Sequence, residues 1–167
     1  MNEYNDYIAI TRRWLKSYNT FVATVQSMTA DIEAQERILR TADDLGAPIA
    51  AYDSMPKGGS GELNTVERKA EDRLRRQNNI EREKLNRDEI QRIIDRLDRA
   101  IKALQPEEQE LIYGHYIDGR DWYSLGYERH YSERWAREKA GKALRTIAFV
   151  LFGVKAHPVQ LSFVFAE

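Results

Sequence analysis

Between Tyr4 and Leu39, eleven residues recur in strict alternating steps of three and four: Tyr4, Tyr7, Thr11, Trp14, Tyr18, Phe21, Val25, Met28, Ile32, Gln35 and Leu39. Only Thr11 and Gln35 among them are polar. This is the heptad spacing of a coiled-coil seam, and it predicts one long helix over residues 3–40. Aromatic rings at such a spacing could stack on bases, but the regular period favours knobs in a helix–helix interface. Side chains this bulky need a partner offering equally deep holes.

The partner follows in the chain. Residues 62–104 read as a second long helix, with a thin seam of Val66, Ala70, Leu74, Gln77, Glu81 and Leu85. The seam strengthens at Ile90, Ile94, Leu97, Ile101 and Leu104. Residues 62–102 hold twelve Lys/Arg against ten Asp/Glu, so the first half is a salt-bridged solvated rod and not a basic arm. Gly and Pro punctuate residues 43–61 between the two helices. The run Gly58-Gly59-Ser60-Gly61 beside Lys57 lacks the Gly-Lys-Ser/Thr ending of a phosphate cradle, so it reads as a connector. Residues 1–104 are therefore expected to form an antiparallel helical hairpin. Two helices cannot hide such a seam alone, which predicts a homodimer through this hairpin.

Residues 105–153 change character. Pro106 suits the first position of a helix, and Glu107, Glu108 and Glu110 suit its positive end. Leu111, Ile112, His115 and Tyr116 continue it until Asp118-Gly119. Asp121 can cap a second helix carrying Trp122, Leu125 and Gly126. After a turn around residues 128–131, Ser132 can cap a third, which runs to Gly153. Helix, short helix, turn and capped basic helix is the pattern of a helix-turn-helix, whose last helix enters the DNA major groove.

The stretch LQPEEQELIYGHYIDGRDWYSLGYERHYSERWAREKAGKAL resembles region four of bacterial sigma factors. Upstream, AYDSMPKGGSG resembles a signature of phage-encoded sigma-like regulators of the ArpU and RinA type. Where that region usually carries Ile-Ala, this chain has Leu125-Gly126, and Ala136 stands where a bulky aliphatic is usual. The resemblance implies a sequence-specific transcription regulator of phage or prophage late genes, in the cytoplasm of a bacterial host. It also brings RNA polymerase into view as a partner beside double-stranded DNA.

On the third helix, Ala136, Ala140, Ala143, Leu144 and Ile147 fall on one face, and Glu133, Arg134, Arg137, Glu138 and Lys142 on the other. Arg134 and Arg137 are the candidate base readers, because a guanidinium can grip guanine with two hydrogen bonds. Ser132, Arg129, Tyr131 and Lys142 are placed for phosphates. Trp135 is divided between groove contact and packing on the tail, whereas Trp122 reads as core and Arg120 as a solvated turn residue. Residues 120–145 carry seven Lys/Arg and four Asp/Glu, a local surplus inside a chain of net charge −1.

The remaining expectations are mostly exclusions. No apolar run approaches the length of a membrane span, and Met1-Asn-Glu-Tyr does not read as a signal peptide. The absence of cysteine rules out disulfides and fits a reducing compartment. His115, His130 and His157 stand apart without metal spacing, and no nucleophile–base set is visible, so no enzyme, metal or cofactor is expected. Residues 154–167 read as an extended apolar tail in which Val159, Leu161, Phe163 and Phe165 alternate. The fold class is thus all-α: hairpin, helix-turn-helix, short tail. Two other functions share these features. A small terminase-like packaging protein would form rings, and an interaction protein would grip polymerase or another regulator without reading DNA.

Overall fold

The computed structural model describes residues 6–46 and 60–156, with side chains placed over 6–41 and 67–156. Tyr4, most of the 43–61 connector, the Val66 side chain and the strand expected in the tail lie outside the described residues. The chain is all-α; every element among the described residues is helical. The elements are α1 (Tyr7–Lys16), α2 (Tyr18–Gly46), α3 (Ser60–Lys102), α4 (Pro106–Ile112), α5 (Trp122–Arg129) and α6 (Glu133–Phe152). A π-helical turn, Tyr113–Ile117, follows α4, and a 3-10 turn, Gly153–Ala156, follows α6. The chain divides into two compact units, Met1–Val22 with Gln91–Glu167, and Ala23–Ile90. The division therefore falls inside the two long helices, where the sequence pattern had suggested a boundary at residue 104.

The first expected helix is interrupted. Asp6 caps α1 by accepting from the N–H groups of Ile8 at 3.1 Å and Ala9 at 3.0 Å. At Ser17 the backbone N–H is shared between the carbonyls of Arg13 and Trp14, at 3.0 and 3.1 Å, which tightens one turn before α2 resumes. The apolar phase shifts accordingly. Leu15, outside the heptad seam, is fully buried together with Thr11, while Tyr7, Trp14 and Tyr18 are half-buried. The physical reason is a different partner: α1 packs on α6 and on the π-helical turn. Thr11 loses nothing by burial, since its hydroxyl donates to the Tyr7 carbonyl at 2.7 Å.

The first unit holds the core. The end of α3 and the residues just after it (Leu97, Ala100, Ile101, Leu104) pack with Leu15, Leu111, Ile112, Tyr116, Leu125 and the inner face of α6. Phe152 closes one end against the rings of Tyr7 and Trp14, at centroid distances of 4.9 and 5.5 Å. The Arg96 guanidinium donates to the Leu151 carbonyl, one of the acceptors a helix end leaves free. Gly153, at φ 63°, ends α6, and residues 154–156 belong to the 3-10 turn, not to an extended tail.

In the second unit the register of α3 differs from the expected one. Leu74 and Leu85 are 58% and 65% exposed, while Ile80 is buried. Stepping back from Leu104 by threes and fours through Leu97 and Ile94 reaches Ile90, Arg87, Glu83 and Ile80, all buried or half-buried. The seam is continuous, but charged residues occupy part of it. Gln35 donates to Glu83 at 2.9 Å, and Lys84 bridges Glu36 at 3.0 Å and Glu81 at 3.1 Å. Stems of such side chains can cover apolar surface while their heads stay wet. Ile32 is buried on α2, and a groove of 390 Å³ is lined by Met28, Asp31, Ala34, Gln35, Ile38 and Glu83. Among the described residues, no helix is long and apolar enough to cross a membrane.

Candidate nucleic-acid interface

Local chemistry builds the α4–α6 segment in sequence. Pro106 opens α4, the Glu108 carboxylate accepts from the Gln105 N–H at 3.2 Å, and Gln109 donates to the Leu104 carbonyl at 2.9 Å. The π-helical turn then feeds a bend at Gly119, whose φ of 72° suits glycine. Two bonds fasten this bend. The Arg120 N–H donates to the Gly114 carbonyl at 2.8 Å, and His115 Nδ1–H donates to the Arg120 carbonyl at 2.8 Å. The His115 ring also stacks on Trp122 at 3.7 Å, so Trp122 anchors the start of α5 while remaining half-buried.

Asp121 caps α5, accepting from the Ser124 N–H at 2.8 Å and the Ser124 hydroxyl at 2.7 Å. Those bonds, the backbone one first, hold its carboxyl below the usual range. The helix ends at His130, in the left-handed region at φ 59°, and the Tyr131 N–H returns to the Gly126 carbonyl at 2.9 Å. A Cβ on residue 126 would lie 2.7 Å from the Tyr131 carbonyl oxygen. Gly126 therefore permits the closure of this turn. Ser132 then accepts from the Trp135 N–H at 3.2 Å and starts α6.

The two faces of α6 fall as the sequence pattern suggests. Ala136, Ala140, Ala143, Leu144 and Ile147 are buried, joined by Ala148 and Leu151. Ser132, Glu133, Arg134, Arg137, Glu138 and Lys142 are exposed, as is Arg129 at the end of α5. Tyr131 and Trp135 are half-buried and face each other at 3.9 Å. Lys139 lies 5.5 Å above the Trp135 ring and 3.6 Å from Glu107, so the Trp135 ring packs within the first unit.

The charges are more balanced than their count suggests. Arg134 donates to Glu138 at 3.0 Å, and Arg137 Nε donates to Glu133 at 3.0 Å, both one turn apart on α6. Arg120 pairs with Glu128, which gives it more than the role of a solvated turn residue, and Arg129 pairs with Glu110. Of the seven Lys/Arg in residues 120–145, this leaves Lys142 and Arg145 without an ion-pair partner among the described residues. Arg145 was not among the sequence candidates, although it follows Arg134 by three helical turns on the same face. Two further exposed residues were missed. Tyr123 and Tyr127, 71% and 74% exposed, stack one turn apart on α5 at 6.3 Å. Their i, i+4 spacing opposite Leu125 was the available signal. Among the described residues no three His, Asp or Glu side chains converge as a metal site would require.

Comparison with models of known protein families, with characterised proteins and with solved structures returns no match for this chain.

Proposed function

We propose that this protein is a sequence-specific DNA-binding transcription regulator, with α5, the His130 turn and α6 acting as a helix-turn-helix. The observation that carries this reading is α6 itself. A Ser132-capped helix buries a small-residue face and presents Glu133, Arg134, Arg137, Glu138, Lys142 and Arg145 outward. Such a helix fits the major groove, where arginine and the amide or carboxylate side chains read base edges. The resemblance to sigma region four and to phage late-gene regulators supports the same reading, with RNA polymerase as a second partner. No cofactor or catalytic role is part of the proposal.

In DNA, the Arg134 and Arg137 guanidiniums exchange their carboxylate partners for base edges, and Arg129, Ser132, Tyr131 and Lys142 take phosphates. Pulling down sheared genomic DNA with the purified protein and sequencing it yields a defined motif on this reading. Arg134→Ala or Arg137→Ala then weakens binding by about 1–3 kcal/mol and relaxes one position of the motif, whereas Lys142→Ala weakens all sequences alike and flattens the salt dependence. Recovery of DNA with no motif overturns sequence-specific recognition.

A second copy of the chain completes the proposal. Ile38, Leu74 and Leu85 leave apolar side chains on the surface of the second unit, which a homodimer would cover. Molar mass by light scattering separates the readings. A dimer fits the regulator, and a ring of many subunits fits a packaging protein instead.

A further inference from the structure

Gly141 lies inside α6, on the outward face, at helical spacing from Arg134, Arg137 and Glu138 before it and Arg145 after it. Glycine is a poor residue inside a helix compared with alanine, because it loses more backbone freedom on folding. The fold gives no reason to accept that loss here. A Cβ built on residue 141 meets nothing within 4 Å, in contrast to residue 126, where it meets backbone at 2.7 Å. The free space opens at the surface. It is bordered by Lys142 and Arg145, the two cations on this helix that have no carboxylate partner among the described residues.

We infer that Gly141 is the point of closest approach between the α6 backbone and DNA, with Lys142 and Arg145, both after the gap and on the same flank of the helix, gripping phosphates of one strand. This rests on the DNA-binding reading of α6 given above. The occupant is a polyanion because the unpaired charges around the gap are both positive. Arg134 and Arg137, two turns and one turn earlier, are already matched by Glu138 and Glu133. A missing side chain lets the helix sit deeper, which brings the two basic arms to the strand along that flank of the groove. Gly141 would thus set the depth of insertion, and Arg145 would add a phosphate contact.

The test compares Gly141→Ala, Arg145→Ala and the wild-type full chain in thermal melts and in anisotropy titrations with a fluorescent random-sequence duplex. Gly141→Ala should raise Tm by about 2–4 °C, since the methyl meets nothing internal and alanine favours the helix. The same variant should bind the duplex about tenfold more weakly, because the methyl intrudes on a packed interface. Arg145→Ala should leave Tm unchanged and lower the slope of log affinity against log salt by about one. Opposite signs of stability and affinity in Gly141→Ala support the inference. A drop in Tm assigns the glycine an internal role and overturns it. Unchanged duplex affinity with a raised Tm also overturns it while leaving the DNA-binding reading intact, as does a loss of self-association by light scattering in place of DNA binding. A wild-type chain that binds no duplex removes both.

Discussion

The two units are built from the same two long helices yet are held together by different physics. In the first unit, fifteen buried residues form one cluster drawn from α1, the end of α3, α4, the π-helical turn, α5 and α6. In the second, only Ile32 and Ile80 are buried among the described side chains, and the rest of the interface is half-wet or charged. Burying a large aliphatic side chain contributes roughly 1.5–3 kcal/mol, so the first unit has many such contributions and the second has few. Helix content alone says nothing about which part of a chain can stand alone. The second unit depends on helix propagation, on polar pairs and, in our proposal, on a second copy. Its sequence is correspondingly rich in charge, because a rod that buries one narrow line leaves most positions in water.

Large-to-small substitutions should separate the units most sharply. Ile147, with no exposed surface, sits at the centre of the α6 inner face, and Ile147→Ala should destabilise the protein by about 2–5 kcal/mol in urea unfolding. Leu85→Ala, at a position 65% exposed in the single chain, should change stability by no more than about 0.5 kcal/mol at concentrations low enough to keep the chain monomeric. A large loss from Leu85→Ala, dependent on protein concentration, would show that the second unit acquires its missing core from another copy.

A smaller effect is expected from Gly126→Ala. Helix propensity alone favours alanine, but the added Cβ would stand 2.7 Å from the Tyr131 carbonyl, and backbone cannot swing aside as a side chain can. The turn must open, at a cost of about 1–3 kcal/mol, lowering Tm and displacing α6 from α5. If Gly126→Ala raises Tm, the tight closure of the first unit is not what orders the turn.

The same contrast explains which features were readable in the sequence. The caps at Asp121 and Ser132, the two faces of α6 and the stop at Gly153 depend on interactions within a few residues, and the pattern places each correctly. The break at Ser17 does not, because the heptad spacing of Tyr7, Thr11, Trp14 and Tyr18 is intact through it. What moves the buried phase to Leu15 is the packing of α1 on α6, a contact far apart in the chain. The seam of α3 was misplaced for another reason. Its true line passes through Glu83 and Arg87, which a hydrophobic template rejects, while Leu74 and Leu85 satisfy the template and lie in water. At the candidate interface the exposed start of α6 was legible, but not the pairing of its charges, nor the exposed Tyr123 and Tyr127 on α5. That Arg134 and Arg137 are held by Glu138 and Glu133 depends on rotamers, so the unpaired Arg145 was overlooked.

Alkaline titration probes the first unit at its junction of α2 and α3. Tyr18 Oη donates to Asp98 at 2.8 Å, and burial first, then the Asp98 bond and charge, push its pKa up to about 12 from 10.0. Folding therefore favours the neutral phenol. The stability this supplies is whole below pH 10 and disappears as pH rises through 12. Phenolate absorbance should show a late-ionising tyrosine that Tyr18→Phe removes, and the variant should lose less stability than wild type across that interval. A tyrosine titration with no late component would place Tyr18 in water.

The smallest effect belongs to the second unit, where the Glu36–Lys84 pair does what a buried side chain does elsewhere. The Lys84 ammonium, by hydrogen bond and then by charge, holds the Glu36 carboxyl below its ordinary value of 4.5. Glu36 and then Glu81 raise the Lys84 pKa in return. For Glu36 the depressed pKa means the contribution is present above pH 4.5 and fades as acid protonates the folded-state carboxylate. Both side chains remain partly in solvent, at 30% and 32% exposure, so dissolved ions should screen their attraction. Glu36→Gln should therefore speed amide hydrogen exchange in α2 near neutral pH and low salt, with little change in the first unit. The difference from wild type should shrink at molar salt and vanish in acid. If exchange accelerates equally at high salt, the pair is covered from solvent and the second unit has a protected interface there after all. If it accelerates in α6 as well, the two units unfold together and their contrasting cores do not translate into separate stabilities.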